Sequence, residues 1–178
     1  MSQNGSQEQK TISREEALSC LRRLLGQPLL YGYKFPQWCD LYEFGFGRLV
    51  EDERHDDFSD LDLPKIMRDA FCEGGKRAEF VLHAVCPIKV VWRGEERRVD
   101  LFDEETERET FRSVASRLAG ASITRIELSD KQDLWLDLGE FWLVFVTSEN
   151  EEESWRFFTA DGKAAHLVAS SARIELDA

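Results

Sequence analysis

Apolar residues recur along this chain in two spacings: every three or four positions, predicting helices, and every second position, predicting strands. Ser13-x-x-Glu16 opens the first helical segment as a capping box, in which hydroxyl and carboxylate satisfy amide donors left free at a helix start. Ala17, Leu18, Leu21, Leu24 and Leu25 share one face, and Gly26 supplies the left-handed stop. Residues 29–35 and 38–46 read as paired strands turned at Pro36-Gln37. Leu63, Ile66, Met67, Ala70 and Phe71 then carry the spacing of a one-faced helix ended by Gly74-Gly75. Strands are expected at 80–85, 89–92 and 97–102, and a helix presenting Phe111, Val114, Ala115 and Leu118 stops at Gly120. The remainder reads as a meander of strands at 122–129, 133–138, 141–147, 154–159, 166–170 and 173–176. Helices that cover antiparallel sheets give an α+β class rather than alternating β-α-β units.

Part of this pattern occurs twice. Arg23-Leu24-Leu25-Gly26 aligns without a gap on Arg117-Leu118-Ala119-Gly120, an offset of 94 residues (117 − 23), and the same offset places Leu29 on Ile123 and Gly45 on Gly139. Phe80-Val81-Leu82 and Val85 match Phe141-Trp142-Leu143 and Val146 in type, and Trp92 roughly parallels Trp155. The expected architecture is therefore two quasi-repeated helix-plus-antiparallel-sheet units, about 13–102 and 103–178, sharing one core within a single domain. Residues 1–12, rich in Gln, Ser and Asn, are expected to form a disordered tail. The acidic loop and helix of 48–76 have no counterpart in the second half and form an insertion in the plan.

With 35 acidic against 23 basic residues the net charge is −12, which argues against nucleic acid and anionic membranes as partners. Four cysteines without a C-x-x-C pair, no secretory leader and no long apolar run suggest reduced thiols and a cytoplasmic protein. Glu51, Asp52, Asp56 and Asp57 belong to the acidic loop, which reads first as a solvated linker and second as a docking surface for a basic protein. It lacks the glycine and ligand spacing of a calcium loop, so no metal and no cofactor is expected. Trp38 and Trp155 flank turns, where a tryptophan can be core filler or a binding anchor, whereas Trp135 and Trp142 sit in strands that could form the core.

Catalytic motifs do not stand out. His55, His83 and His166 make no H-x-x-x-H or H-E-x-x-H, and neither a nucleophile elbow nor a phosphate loop is present. Cys86, three residues after His83, ends an apolar strand, a poor setting for a thiolate. His83, Arg156 and His166 are the polar residues that could line a pocket between the two halves.

Leu82-His83-Ala84-Val85-Cys86-Pro87, with Glu153-Ser154-Trp155-Arg156-Phe157 and His166-Leu167-Val168, resembles an uncharacterised family of small bacterial proteins with an LHxxCP … ExWRF … HxV pattern. The likeness is patchy over about 26–170, and Ile88-Lys89 replaces the family's usual Trp-Arg. The family is a domain of unknown function, so the resemblance carries over no catalytic residue. It implies at most kinship with acidic proteins of the immunity type that neutralise bacterial toxins. The expected function is a non-enzymatic protein-binding module with a basic toxin as partner, and the alternative is a small-ligand binder or enzyme.

Overall fold

The computed structural model describes residues 10–35, 41–51, 76–94, 98–100, 108–149, 152–160 and 166–177. Its strands are β1 (Lys10–Ile12), β2 (Leu29–Lys34), β3 (Tyr42–Glu51), β4 (Lys76–Ala84), β5 (Ile88–Trp92) and β6 (Arg98–Asp100), followed by β7 (Arg125–Leu128), β8 (Leu134–Asp137), β9 (Phe141–Phe145), β10 (Trp155–Thr159), β11 (His166–Ala169) and β12 (Ile174–Asp177). Two helices are described, α1 (Arg14–Leu21) and α2 (Arg108–Leu118). The strands form a seven-stranded sheet, β1-β12-β11-β10-β4-β3-β2, and a five-stranded sheet, β6-β5-β9-β8-β7, with every pairing antiparallel.

Period-two alternation gives each strand one apolar face, and these faces meet. Tyr42, Phe44, Phe46, Leu82, Trp155 and Phe157 from the larger sheet share one core with Ile88, Val90, Leu136, Leu143 and Phe145 from the smaller. Phe44 and Phe145 pack edge to face across the gap, ring centroids 5.4 Å apart. Ala17 and Leu21 of α1 and Phe111 and Leu118 of α2 close the same core. The capping box forms as its residues predict: the Ser13 hydroxyl accepts from the Glu16 amide, and the Glu16 carboxylate accepts from the Ser13 amide.

Both sheets are assembled by one route. β2-β3-β4 is continued by β10-β11, and β7-β8-β9 is continued by β5-β6, so each sheet receives a hairpin from the other part of the chain. The helices cross over too, with α1 against β7 and α2 against β2. At the centre Pro28 bridges Ser122, and the bonds around them are reciprocal. The Gly26 amide donates to the Ile123 carbonyl and the Gly120 amide to the Leu29 carbonyl; Leu29 donates to Ala121 and Ile123 to Gln27. Gly26 and Gly120 both hold positive φ, 78° and 86°, where glycine alone is unstrained. Reciprocity recurs at both ends of the β4–β10 and β5–β9 ladders. Val85 donates to Ser154 as Val146 donates to Pro87, and Arg93 donates to Glu140 as Ala160 donates to Glu79.

Register refines the alignment read from sequence. Tyr31 faces Gly45 as Arg125 faces Asp137, so the counterpart of Gly45 is Asp137 and not Gly139. Between these pairs the β7–β8 hairpin is shorter than the β2–β3 hairpin by two residues. Trp155 pairs with Ala84 and Ile88 with Phe145, so an alignment that matches Phe80 to Phe141 puts Trp155 on Ile88 and not on Trp92.

Other expectations need correction. Lys10–Ile12 belongs to no disordered tail: it pairs with β12 as an edge strand. Residues 48–51 extend β3, with Glu51 opposite Lys76, so the interruption of the plan does not begin at 48. The helical rise over 14–25 tightens into a single turn at Arg22–Leu24, which leaves Leu25 43% exposed and off the apolar face assigned to it. The acidic stretch from 52 to 62 and the predicted helix around Ile66 lie outside the described residues.

Gly45 is a packing glycine. A Cβ there would overlap the Tyr31 ring lying across it and sit 2.6 Å from the Ala78 Cβ. Both neighbours are held in a sheet and cannot withdraw. Gly45→Ala is expected to cost about 1–3 kcal/mol, the usual overpacking range, read as a lowered urea midpoint. An unchanged midpoint would mean that the Tyr31 ring is free to leave its place.

Candidate functional site

Away from the core, the outer face of the seven-stranded sheet collects the ionisable groups. Register places Tyr31 and Tyr33 of β2 beside Gly45 and Glu43 of β3, then Val81 and His83 of β4, Phe158 and Arg156 of β10, His166 and Val168 of β11, and Asp177 and Glu175 of β12. Glu43 is fully buried, an uncommon position for a carboxylate. Its Oε1 accepts from the Tyr31 hydroxyl at 2.9 Å. Its Oε2 accepts from the Arg77 guanidinium and from His83 Nε2, the latter at 2.6 Å. A carboxylate can only accept, so the proton on that contact belongs to His83 Nε2. Nε2 therefore does not accept from Arg77, although the two nitrogens are 3.3 Å apart.

Burial by itself would raise the Glu43 carboxyl. The Arg77 charge and the hydrogen bond and charge of His83 outweigh it, lowering the group from 4.5 to about 2. Burial, then the Glu43 charge, pushes the Tyr31 phenol well above its ordinary value. Around the carboxylate lies a second apolar cluster of Tyr31, Tyr33, Phe35, Ala78, Val81 and Phe158, all buried. Arg77 lies over the Phe158 ring at 5.2 Å.

His83, Arg156 and His166, expected to share a pocket between two halves, do come together, but on this outer face. Arg156 is the register partner of His83, and Phe158 separates the two imidazoles, 4.8 Å from His83 and 5.2 Å from His166 by ring centroids. Arg156 is gripped by Glu153 at 2.8 Å and lies 3.8 Å from Asp177. His83 and Arg156 keep 25% and 29% of their side-chain exposure, so this end of the face is partly open. Cys86 is in the core between the sheets, on the side away from the His83 ring, and the thiol–imidazole pairing considered from sequence does not form.

Of the partner-binding candidates, Trp155 is fully buried, its indole donating to the Gln132 carbonyl at 3.0 Å, so it is core and not a rim anchor. Glu51 is exposed at the end of β3. Asp52, Asp56, Asp57 and Trp38 lie outside the described residues. Glu43, Arg77 and Tyr31 went unsingled in the sequence. A glutamate between Tyr42 and Phe44 was the available signal, since alternation sends it to the face opposite two core aromatics. Whether that face is dry depends on tertiary structure.

The five-stranded sheet also has an outer face. Trp135 and Trp142, strand residues that could have formed the core, lie there half-buried, edge to face at 5.9 Å. The Arg93 guanidinium is 5.8 Å from the Trp142 ring and pairs with Asp137. Among the described residues no helix is long and apolar enough to cross a membrane. No family model matches the chain, and no curated protein or solved structure matches it either.

The Glu43 cluster makes the protein acid-sensitive in a defined window. Because the folded carboxyl is depressed, its contribution is complete above about pH 4.5 and is lost as pH falls toward about 2. Glu43→Gln is expected to flatten the stability profile there. At neutral pH it is expected to cost about 3–5 kcal/mol, because the buried ion pair between Arg77 and Glu43 is broken. Glu43→Gln with Arg77→Met should recover part of that loss in urea titrations; a double variant no more stable than the single one would refute this coupling.

Proposed function

We propose that the chain is a non-enzymatic, cytoplasmic protein-binding module built from two quasi-repeated units that share one core. The repeat is supported by the reciprocal hydrogen bonds at 26–29 and 120–123 and by matching strand registers. It is supported as well by Arg23 lying over Phe80 and Arg117 over Trp92, the register partner of Phe141. One observation carries the non-enzymatic reading. Among the described residues, the most deeply buried carboxylate is committed to its neighbours, with Glu43 at zero exposure and both its oxygens accepting. A base spent in this way holds strands together, and the recognition chemistry is left to the surface of a chain with net charge −12.

Toxin neutralisation is the specific form we assign to that binding, in keeping with the resemblance to an uncharacterised family of small bacterial proteins and with an acidic net charge of −12. A basic toxin would meet Glu51, Asp52, Asp56 and Asp57. Tagged protein is expected to retain such a partner from its native cells, and reversing these four charges is expected to slow association about tenfold and weaken its salt dependence. Unchanged kinetics with the partner in hand would remove the acidic positions from the contact.

A second reading has its own observation: His83, Arg156 and His166 share one partly open face. Turnover by the purified chain that His83→Ala abolishes while circular dichroism stays native would replace binding by catalysis or ligand capture.

A further inference from the structure

The two sheets present equivalent outer faces, and the sequence has treated them oppositely. On the seven-stranded sheet the positions Glu43, Val81 and Phe158 are buried. Their register counterparts on the five-stranded sheet are Trp135, Trp142 and Val91. Trp135 and Trp142 are half-buried, and Val91 is only partly covered. Trp135 faces Val144 and Trp142 faces Val91, so the two half-buried tryptophans and the partly covered Val91 form one patch across three strands, with Val144 buried among them.

Cations fringe that patch. Lys89 is the register partner of Val144, Arg125 that of Asp137, and Arg93 reaches over Trp142. Arg93 and Arg125 have described counter-ions, but the exposures are unequal. The Arg93 side chain is 55% exposed above an Asp137 that is 6% exposed, and Arg125 is 66% exposed beside Glu127 at 42%. Glu127 is itself the register partner of Trp135 and Asp100 that of Lys89, so anions also border the patch, but the most exposed heads in its two ion pairs are the arginines, on a chain whose net charge is −12. A tryptophan pair with arginines is the composition of interface hot spots. The rings stand 74° apart, which denies a sugar ring the coplanar platform it stacks on. A second copy of the chain related by a two-fold axis would set the same cations against each other.

We propose that the outer face of the five-stranded sheet, centred on Trp135 and Trp142, docks a protein segment with an apolar centre and acidic flanks. The residues of this surface are different ones from the acidic positions of the preceding section, and the charge preference proposed for it is the opposite. One partner using both would need a basic region and an acid-ringed apolar knob.

Three fluorescently labelled peptides test it by anisotropy against the full chain. Each has the centre Leu-Phe-Leu, and the flanks are Asp/Glu, Lys or Ser. The acidic-flanked peptide should bind at least ~10-fold tighter than the Lys-flanked one, with the preference shrinking at high salt. Trp135→Ala and Trp142→Ala should each weaken it at least ~10-fold, and Lys89→Glu with Arg125→Glu should erase the flank preference. Trp142→Phe, which keeps an aromatic ring, should retain most binding and guards against a misfolded Ala variant. Equal binding of all three peptides, binding that ignores the tryptophans, or no binding would overturn the proposal. So would sedimentation showing a dimer that Trp142→Ala dissociates, which would give the face to self-association. A partner retained from native cells through Glu51 and its neighbours, with no peptide bound here, would leave the protein-binding reading standing and remove this one.

Discussion

Four backbone hydrogen bonds joining residues 26–29 to 120–123 set the geometry on which the remainder of the chain depends. They tie the segment leaving α1 to the segment leaving α2, so the strands that follow, β2 and β7, start from one point and run into different sheets. Each helix then lies against the strand that follows the other helix. The reciprocal donors at Val85 and Val146 hold the places where the chain changes sheets. Neither sheet is therefore built from one continuous stretch, and the core between them needs strands from both parts of the chain. A compact intermediate holding only the first part would expose the inner faces of β3 and β4, with Phe44 deprived of Phe145.

Much of this was legible because it is local. The capping box at Ser13 and Glu16, the glycine stops at Gly26 and Gly120, and the likeness of Phe80-Val81-Leu82 to Phe141-Trp142-Leu143 are all properties of short segments. The offset alignment failed at Gly45 because a hairpin can lose residues without changing the strands beside it, and side-chain chemistry alone does not mark the loss. The tryptophans were misplaced for a related reason. Trp135, Trp142 and Trp155 all sit in strands of alternating apolar character, and their inward or outward direction is decided by a register that depends on distant partners. Trp155 faces the core because its strand pairs with β4 at Ala84; a slip of one residue would exchange it with Arg156.

The site residues show the same division. His83, Arg156 and His166 could be picked out by type, and pairing of β10 with β4 and β11 gathers them. Glu43 could not be weighed in the same way. A strand glutamate is ordinarily a solvent-facing residue, and its importance arises from Arg77 and Tyr31, distant in sequence and brought to it by β2 and β4. Removing the carboxylate leaves a buried guanidinium, whereas removing both charges leaves an apolar gap that the Phe158 and Val81 cluster can partly fill.

A single position explains how matching strand frameworks arrive at opposite surfaces. Gly45 has no side chain, so the Tyr31 ring folds flat across it and brings its hydroxyl to Glu43. The face closes over a carboxylate. At the corresponding place Asp137 has a side chain, and its neighbour across the ladder is Arg125 instead of a tyrosine. The Asp137 carboxylate accepts from the Gly139 amide at 2.9 Å and holds Arg93 above Trp142. No ring crosses the strand there, and an arginine stands outward with an indole beneath it. The buried polar cluster and the half-open aromatic patch differ in whether that position leaves room for a neighbour to lie down.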